Sequence, residues 1–289
     1  MITILTPTYN RANTLPRLYS SLLNQSDNNF EWLVIDDGSH DSTDEIIKEY
    51  QKESNFLINY LYKENEGKHG ALNIGFKKSQ GDWIFIVDSD DWLDGRCVET
   101  LNNAVNKLEE DIFSISILRV FDNGRVVGDA HDESLHTYIE RIEKGVQGDK
   151  GDVFKKAALH DFHFPVYNGE RFMPESPLFI WFGARFKTKF INYPGYICEY
   201  QEGGLSELSI INRHKSYNSA MYVYSVQYQH LNKKILRYKA AVNWWRFRIG
   251  KRVENVSFRP PLIFSFLGVL LFAIDSVKNS ASLTFGSKK

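Results

Sequence analysis

The chain has 289 residues, enough for one large domain or a domain with an appendage. Its hydrophobic content of 43% and charged content of 25% are ordinary for a folded globular protein, and a formal net charge of -1 excludes a general nucleic-acid binder, which needs a basic excess. Cys97 and Cys198, far apart, exclude a disulfide framework and a cysteine-based metal site, and they fit a reducing compartment.

Residues 1–6 predict a short buried strand, and Pro7 is expected to end it because proline cannot continue a central ladder. Met1 to Leu5 run straight into this strand, so no leader peptide is expected. Asn13 or Thr14 caps a helix that carries Leu15, Leu18, Leu22 and Leu23 on one face. A second strand, residues 31–35, ends in Asp36-Asp37-Gly38-Ser39. The helix after it, capped by Ser42 or Thr43, turns Ile46, Ile47 and Tyr50 inward. Residues 59–62 give a third strand, and the polar run Glu64 to Gly70 leads to a helix with Ala71, Leu72, Ile74 and Phe76. A fourth strand, residues 83–87, runs into Asp88-Ser89-Asp90-Asp91.

This strand–helix alternation predicts an α/β fold with helices on the faces of a sheet. Every strand exit carries a polar cluster: Pro7 to Arg11, Asp36 to Ser39, Asn65 to His69 and Asp88 to Asp91. In an open α/β sheet such exits line one crevice, where ligands bind. Three carboxylates within four positions suit a hard divalent cation, which takes few protein ligands when phosphates supply the rest.

Beyond Gly95 a helix is predicted to about Glu110, then a strand from Ile112 to Phe121 that turns at Asp122-Asn123-Gly124 into a return strand, Arg125 to Val127. Gly148 to Asp152 reads as a polar turn before a short helix, and residues 162–172 as an irregular aromatic stretch. Ser176-Pro177 opens a helix predicted through Lys187. Gly203-Gly204 interrupts the chain, and residues 213–248 read as mainly helical. His131, His136, His160 and His163 lack metal-ligand spacing, and Trp244 with Trp245 suit either core packing or an interfacial belt. Pro260 to Ile274 carries no charge and is shorter than the ~20 residues a spanning helix needs, with Asp275 ending it. Its basic flanks suit a segment lying in the surface of an anionic membrane; a buried helix or an oligomer contact is the alternative.

Thr6-Pro7-Thr8-Tyr9-Asn10-Arg11, Asp36-Asp37-Gly38-Ser39, Asn65-x-Gly67 with Ala71-x-Asn73-x-Gly75, Gly81-Asp82-Trp83 and Asp88-Ser89-Asp90-Asp91 stand in one order and spacing. In this the chain resembles the family-2 glycosyltransferases of the GT-A fold, of the kind that builds bacterial surface polysaccharides. The resemblance is specific over residues 1–95 and recognisable to about 210. It implies a Rossmann-like, mixed and mostly parallel sheet with flanking helices, a nucleotide-diphosphate sugar donor (a UDP-sugar), Mn2+ or Mg2+, and inversion at the anomeric carbon. By that resemblance Pro7, Tyr9 and Arg11 lie along the nucleotide, and Asp37 accepts from the base with Asp36 alongside. Asp88 and Ser89 lie near the ribose, and Asn73 belongs to the same donor site. Asp90 holds the metal, with Asp91 competing for that role. Lys68 and His69 meet the donor sugar or its phosphates. The general base is expected at Glu175, where the family's usual Glu-Asp is Glu175-Ser176 here; Glu170 and Asp161 are the reserves.

The expected organisation is a GT-A domain over residues 1–215, with a nucleotide-sugar half (1–95) and an acceptor half (96–215). A helical, membrane-associating extension covers residues 216–289. The expected function is sugar transfer to a glycan acceptor, lipid-linked, at the inner face of the cell membrane. Rival readings are a catalytically inactive sugar-nucleotide-binding or scaffolding protein, and a nucleotidyltransferase. The latter lacks its glycine- and arginine-rich loop after the first strand.

Overall fold

The computed structural model describes residues 1–199, 209–251 and 258–285. Gly203-Gly204 lies outside them. The chain divides into two compact units: residues 1–164 with 182–200, and residues 165–181 with 201–289.

The first unit opens with the alternation the sequence predicts: β1 (Ile2–Thr8), α1 (Leu15–Leu23), β2 (Phe30–Asp36), α2 (Thr43–Glu53), β3 (Leu57–Tyr62), α3 (Lys68–Lys78) and β4 (Trp83–Ile86). There follow β5 (Trp92–Leu93), α4 (Cys97–Val105), β6 (Ile112–Phe121), α5 (Tyr138–Lys144) and β7 (Lys150–Lys155). The last two elements here are α6 (Ser176–Gly183), whose start falls in the second unit, and β8 (Lys187–Cys198). The eight strands form one sheet in the order β3-β2-β1-β4-β7-β6-β8-β5. Strands β3, β2, β1 and β4 are parallel; β7 runs antiparallel to β4 and β6, β8 parallel to β6, and β5 antiparallel to β8. The chain thus has a mixed, mostly parallel sheet with flanking helices and a helical C-terminal region.

The core beneath β1 and β2 contains Ile2, Ile4, Trp32 and Val34, closed by Leu15, Leu18 and Leu22 of α1. On α3, a Cβ at Gly75 would lie 2.3 Å from Leu5 of β1, so only glycine lets this helix come so close.

Several elements depart from expectation for physical reasons. Pro7 does not end β1 but pairs with Ile35 within it. The ladder to β4 stops at Leu5–Ile86, so the missing N–H of Pro7 falls where β1 no longer has a partner on that side. The predicted turn at Gly148 to Asp152 is largely strand β7, with Lys150 and Asp152 buried. Lys150 Nζ donates to the carbonyls of Val127 (2.9 Å) and Asp129 (2.8 Å), and Asp152 accepts from Ser116 Oγ (2.6 Å) and Tyr138 Oη (3.0 Å). Charged residues can occupy a central strand when such partners satisfy them. The helix predicted to Lys187 stops at Gly183 and gives way to β8, whose Pro194-Gly195 sits in a register shift opposite Ile117–Arg119. Helix α4 ends at Val105 rather than near Glu110. The predicted return strand after Gly124 is reduced to one bridge, Val120 to Val126. Helix α5 was not expected, although Thr137 and Glu140 form a capping box at its start.

The second unit holds α7 (Ser209–Lys215), α8 (Tyr217–His230), α9 (Lys234–Arg248), a 3-10 turn at Leu262–Phe264, and α10 (Ser265–Phe285). Both oxygens of buried Glu170 cap α8: Oε1 accepts from the Asn218 N–H (2.9 Å) and Oε2 from the Ser219 N–H (2.8 Å). A carboxylate is well placed at a helix N-terminus. Asp275 does not end the apolar helix, which runs through it to Phe285. Arg246 of α9 pairs with both Asp275 oxygens (2.6 and 2.5 Å), and His214 Nε2 lies 2.7 Å away, so the charge is met inside the unit. Trp244 and Trp245 are buried, which removes them from any interfacial belt. Among the described residues, no helix is long and apolar enough to cross a membrane.

Candidate active site

The four polar clusters at the strand exits are tied into one rim of the first unit. Asn10 takes a left-handed conformation (φ 52), which asparagine tolerates better than most residues. Its N–H donates to Ser39 Oγ and its Oδ1 accepts from the His40 N–H, both at 2.8 Å. These bonds join the exit of β1 to that of β2. Asp37 then joins β2 to the loop before α3. It accepts from Lys63 Nζ (2.7 Å) and the Glu66 N–H (3.0 Å) through Oδ1, and from the Gly67 N–H (2.7 Å) through Oδ2. Gly38 (φ 87) is required there, since a Cβ would come within 2.9 Å of the Asn65 nitrogen. Asp36 is buried, accepting from Ser39 N–H (2.8 Å) and Tyr60 Oη (2.6 Å). Burial and then that carboxylate push the Tyr60 phenol well above its usual range.

Lys68 reaches across from α3 to pair with Asp88, and Arg11 lies 3.4 Å from Asp90. Tyr9 is 41% exposed beside Arg11, while Pro7 is buried in β1 and Ser89 in the turn. Oxygens of Asp88, Asp90 and Asp91 all lie within 4.8 Å of one another. Their surroundings differ. The Asp91 carboxylate is buried, pairing with Arg119 of β6 and accepting from Tyr196 Oη of β8 at 2.9 Å. Tyr196 Oη in turn accepts from the Asp88 N–H (2.9 Å), and Arg119 also reaches Asp88 at 3.3 Å. Burial would raise the Asp88 pKa, but Lys68 and Arg119 hold it below the ordinary carboxylate range. The Asp90 side chain is 24% exposed, much like that of Asp88; Arg17 Nη2 donates to the Asp90 backbone carbonyl at 2.6 Å while stacking over Trp92.

The donor set is three carboxylates at the end of a strand, so its chemistry is that of a hard-cation site and the cluster is compatible with a divalent metal. Arg119, Tyr196 and Arg17 were missed from sequence. The signal for Arg119 was a lone cation within the apolar strand Ile112–Phe121; nothing local marked Tyr196. Two expected donor-site residues face elsewhere. Both ends of the Asn73 amide are used by the main chain of Phe164, at 2.9 Å each. His69 is buried near the Phe164 ring, and burial holds its pKa down to about 4, so it is a neutral imidazole. Of the candidate bases, Glu170 is committed to capping α8, Asp161 is an exposed partner of His160, and half-buried Glu175 stands at the entrance of α6 in the second unit.

The family model for glycosyl transferase family 2 matches residues 3–164. The chain belongs to this family. Glycosyltransferase GlyA of Streptococcus pneumoniae is 32% identical over 147 residues, which are 49% of this chain and 21% of that protein. A glycosyltransferase of Rickettsia bellii is 43% identical over 158 residues, 54% of this chain and 20% of its own length. This family-2 chain therefore spans about a fifth of those relatives. Glycosyltransferase GlyG of S. pneumoniae is 26% identical over 229 residues, 71% of this chain and 72% of GlyG. Among solved structures, S. aureus TarS 1-349 in complex with UDP-GlcNAc superposes with a TM-score of 0.61 at 23% identity, over 85% of this chain and 71% of that one. Mannosyltransferase PcManGT from Pyrobaculum calidifontis, in complex with GDP-Man and Mn2+, gives 0.57 at 15% identity over 99% and 79%. The fold is GT-A.

Proposed function

We propose that this chain is an inverting, metal-dependent glycosyltransferase that moves a sugar from a nucleotide-diphosphate donor, a UDP-sugar, to a glycan acceptor. The observation that carries the reading is the Asp88, Asp90 and Asp91 cluster on a rim joined to Asp36, Asp37, Tyr9 and Arg11. Asp90, with Asp88, would hold Mn2+ or Mg2+, which as a Lewis acid supplies stabilisation for charge on the departing diphosphate. Asp91 holds Arg119 and Tyr196 and so fixes the turn that presents its neighbours. Tyr9 offers an exposed ring to the base, and the rim bonds of Asp37 set the shape of the wall the base meets. Lys68 and Arg11, each on a carboxylate of the cluster, are the cations nearest to where phosphates would lie. Asn73 acts by holding Phe164 rather than by touching the donor.

Inversion requires a base to take the acceptor hydroxyl's proton within hydrogen-bond reach. Glu175 is assigned that role, with Glu170 set aside because its oxygens are spent. Residues 216–289 would serve as a membrane-associating extension, and the acceptor would be lipid-linked, at the inner face of the cell membrane. Thermal unfolding across a panel of nucleotide sugars tests the reading, because a ligand of the native state raises its apparent stability. A UDP-sugar with manganese should raise Tm more than either alone. No shift with any sugar nucleotide would overturn it.

A further inference from the structure

The net charge of -1 conceals a division. Residues 209–289 contain fourteen Lys and Arg against two acids, Glu254 and Asp275, so the rest of the chain is strongly acidic. Asp275 is itself buried under Arg246. The charged residues of helices α7 to α10 are therefore almost all basic.

On that basic unit α10 leaves one face bare. Its inner side packs on α9, where a Cβ at Gly268 would come within 2.5 Å of Trp245, and Asp275 turns inward two helical turns later. Phe272 also faces in, near the His214 ring. The outer side carries Phe266 (77% exposed), Val269, Leu270 and Val277 (71%), preceded by Ile263 (81%) in the 3-10 turn, with no charge from Pro260 to Ile274. Phe264 touches exposed Tyr238 of α9, the neighbour in sequence of exposed Lys239; Arg259, stacked on Trp245, lies in the chain just before this face. An apolar patch of this kind marks an interaction surface.

We propose that this face docks in the surface of an anionic phospholipid bilayer, as a helix lying in the headgroup layer rather than crossing it. Large apolar side chains with a basic surround are the composition such a helix needs. A second copy of the chain is disfavoured as the occupant, since a two-fold contact would set two basic units against each other. The proposal extends the reading of a lipid-linked acceptor, but its test needs no donor.

Full-length protein is floated with phosphatidylcholine vesicles, with or without about one third phosphatidylglycerol, at 0.1 M and 1 M NaCl. Wild type should float with the anionic vesicles, less with the neutral ones, and keep part of its binding at high salt because the apolar contribution is not screened. Phe266→Asp with Leu270→Asp should cut partitioning about tenfold or more while leaving Tm and the UDP–manganese shift unchanged, since both side chains are exposed. Arg259→Gln with Lys239→Gln should lower binding to anionic vesicles only. The proposal falls if wild type stays with the soluble fraction, or floats equally on neutral vesicles. It also falls if the aspartate variant floats as wild type does, or if sedimentation shows a dimer that this variant dissociates. Protein that floats but binds no sugar nucleotide would overturn the donor assignment and leave this one standing.

Discussion

Asp90 and Asp91 are adjacent acids in different surroundings, the proposed function gives them different duties, and substitutions can separate the two. Asp91 is 2% exposed and meets Arg119, whose side chain is 15% exposed, so the pair is held largely away from water. Arg119→Met leaves Asp91 with only the Tyr196 hydroxyl, whereas Asp88 keeps Lys68. Stranding one member of a buried pair costs about 3–5 kcal/mol. In a chain of this size each kcal/mol is worth roughly 2–4 °C of Tm, so a fall of about 6–20 °C is expected. Asp91→Asn should cost less, about 1–3 kcal/mol, because the amide oxygen still accepts from Tyr196 and Arg119 still has Asp88. The double variant should fall well short of the sum of the two. Asp90→Asn should leave Tm near wild type yet remove manganese-dependent UDP binding. Thermal unfolding gives the first readout and titration calorimetry with UDP and manganese the second. If Asp91→Asn unfolded at the wild-type temperature and lost metal-dependent binding, Asp91 would be the ligand and its ion pair incidental.

Glu175→Gln should keep donor binding and lower turnover by about 10²–10⁴-fold, the usual worth of a general base. Glu170→Gln should lower Tm with little change in turnover per folded molecule; the reverse outcome would exchange their roles. Asp37→Ala should weaken UDP binding even without metal and speed hydrogen exchange at the Glu66 and Gly67 amides that it accepts from; exchange unchanged from wild type would count against the rim bonds. Buried His69 is held neutral with a pKa down to about 4, below the ~6.5 of an unfolded chain, so its contribution is fully present above pH 6.5 and is lost as pH falls towards 4. Urea unfolding between pH 7 and 4.5 should show a shallower loss of stability for His69→Gln than for wild type, and parallel curves would refute the assignment.

The parallel half was legible because its signals are local. Each strand is followed within a few residues by its polar exit, and each helix announces its buried face through Leu or Ile at helical spacing. The rim followed from that pattern, since parallel strands must end on the same side. Of the second half only β6, predicted and found at Ile112–Phe121, was legible; β7 and β8 were not, because what satisfies them is remote. Lys150 and Asp152 read as turn residues until the carbonyls of Val127 and Asp129 and the hydroxyls of Ser116 and Tyr138 are brought to them. Pro194-Gly195 reads as a break until the register shift against β6 gives it a place.

The same distinction governs the acids of the candidate site. The roles expected of Asp36, Asp37, Asp88, Asp90, Asp91, Glu170 and Glu175 came from the family resemblance, because a carboxylate in a polar stretch looks the same in sequence whatever it accepts. What separates them is the number of donors already aimed at their oxygens. Asp37 has three, Glu170 has the opening amides of α8, and Asp91 has Arg119 and Tyr196, drawn from strands 28 and 105 residues away. An acid so engaged must give up a bond before it can bind a cation or take a proton, and in a buried setting each such bond is expensive to lose. Asp90, whose cationic partner Arg11 stands at 3.4 Å, has the least to give up. That difference in cost, rather than position in a motif, is the physical ground for proposing Asp90 as the metal ligand.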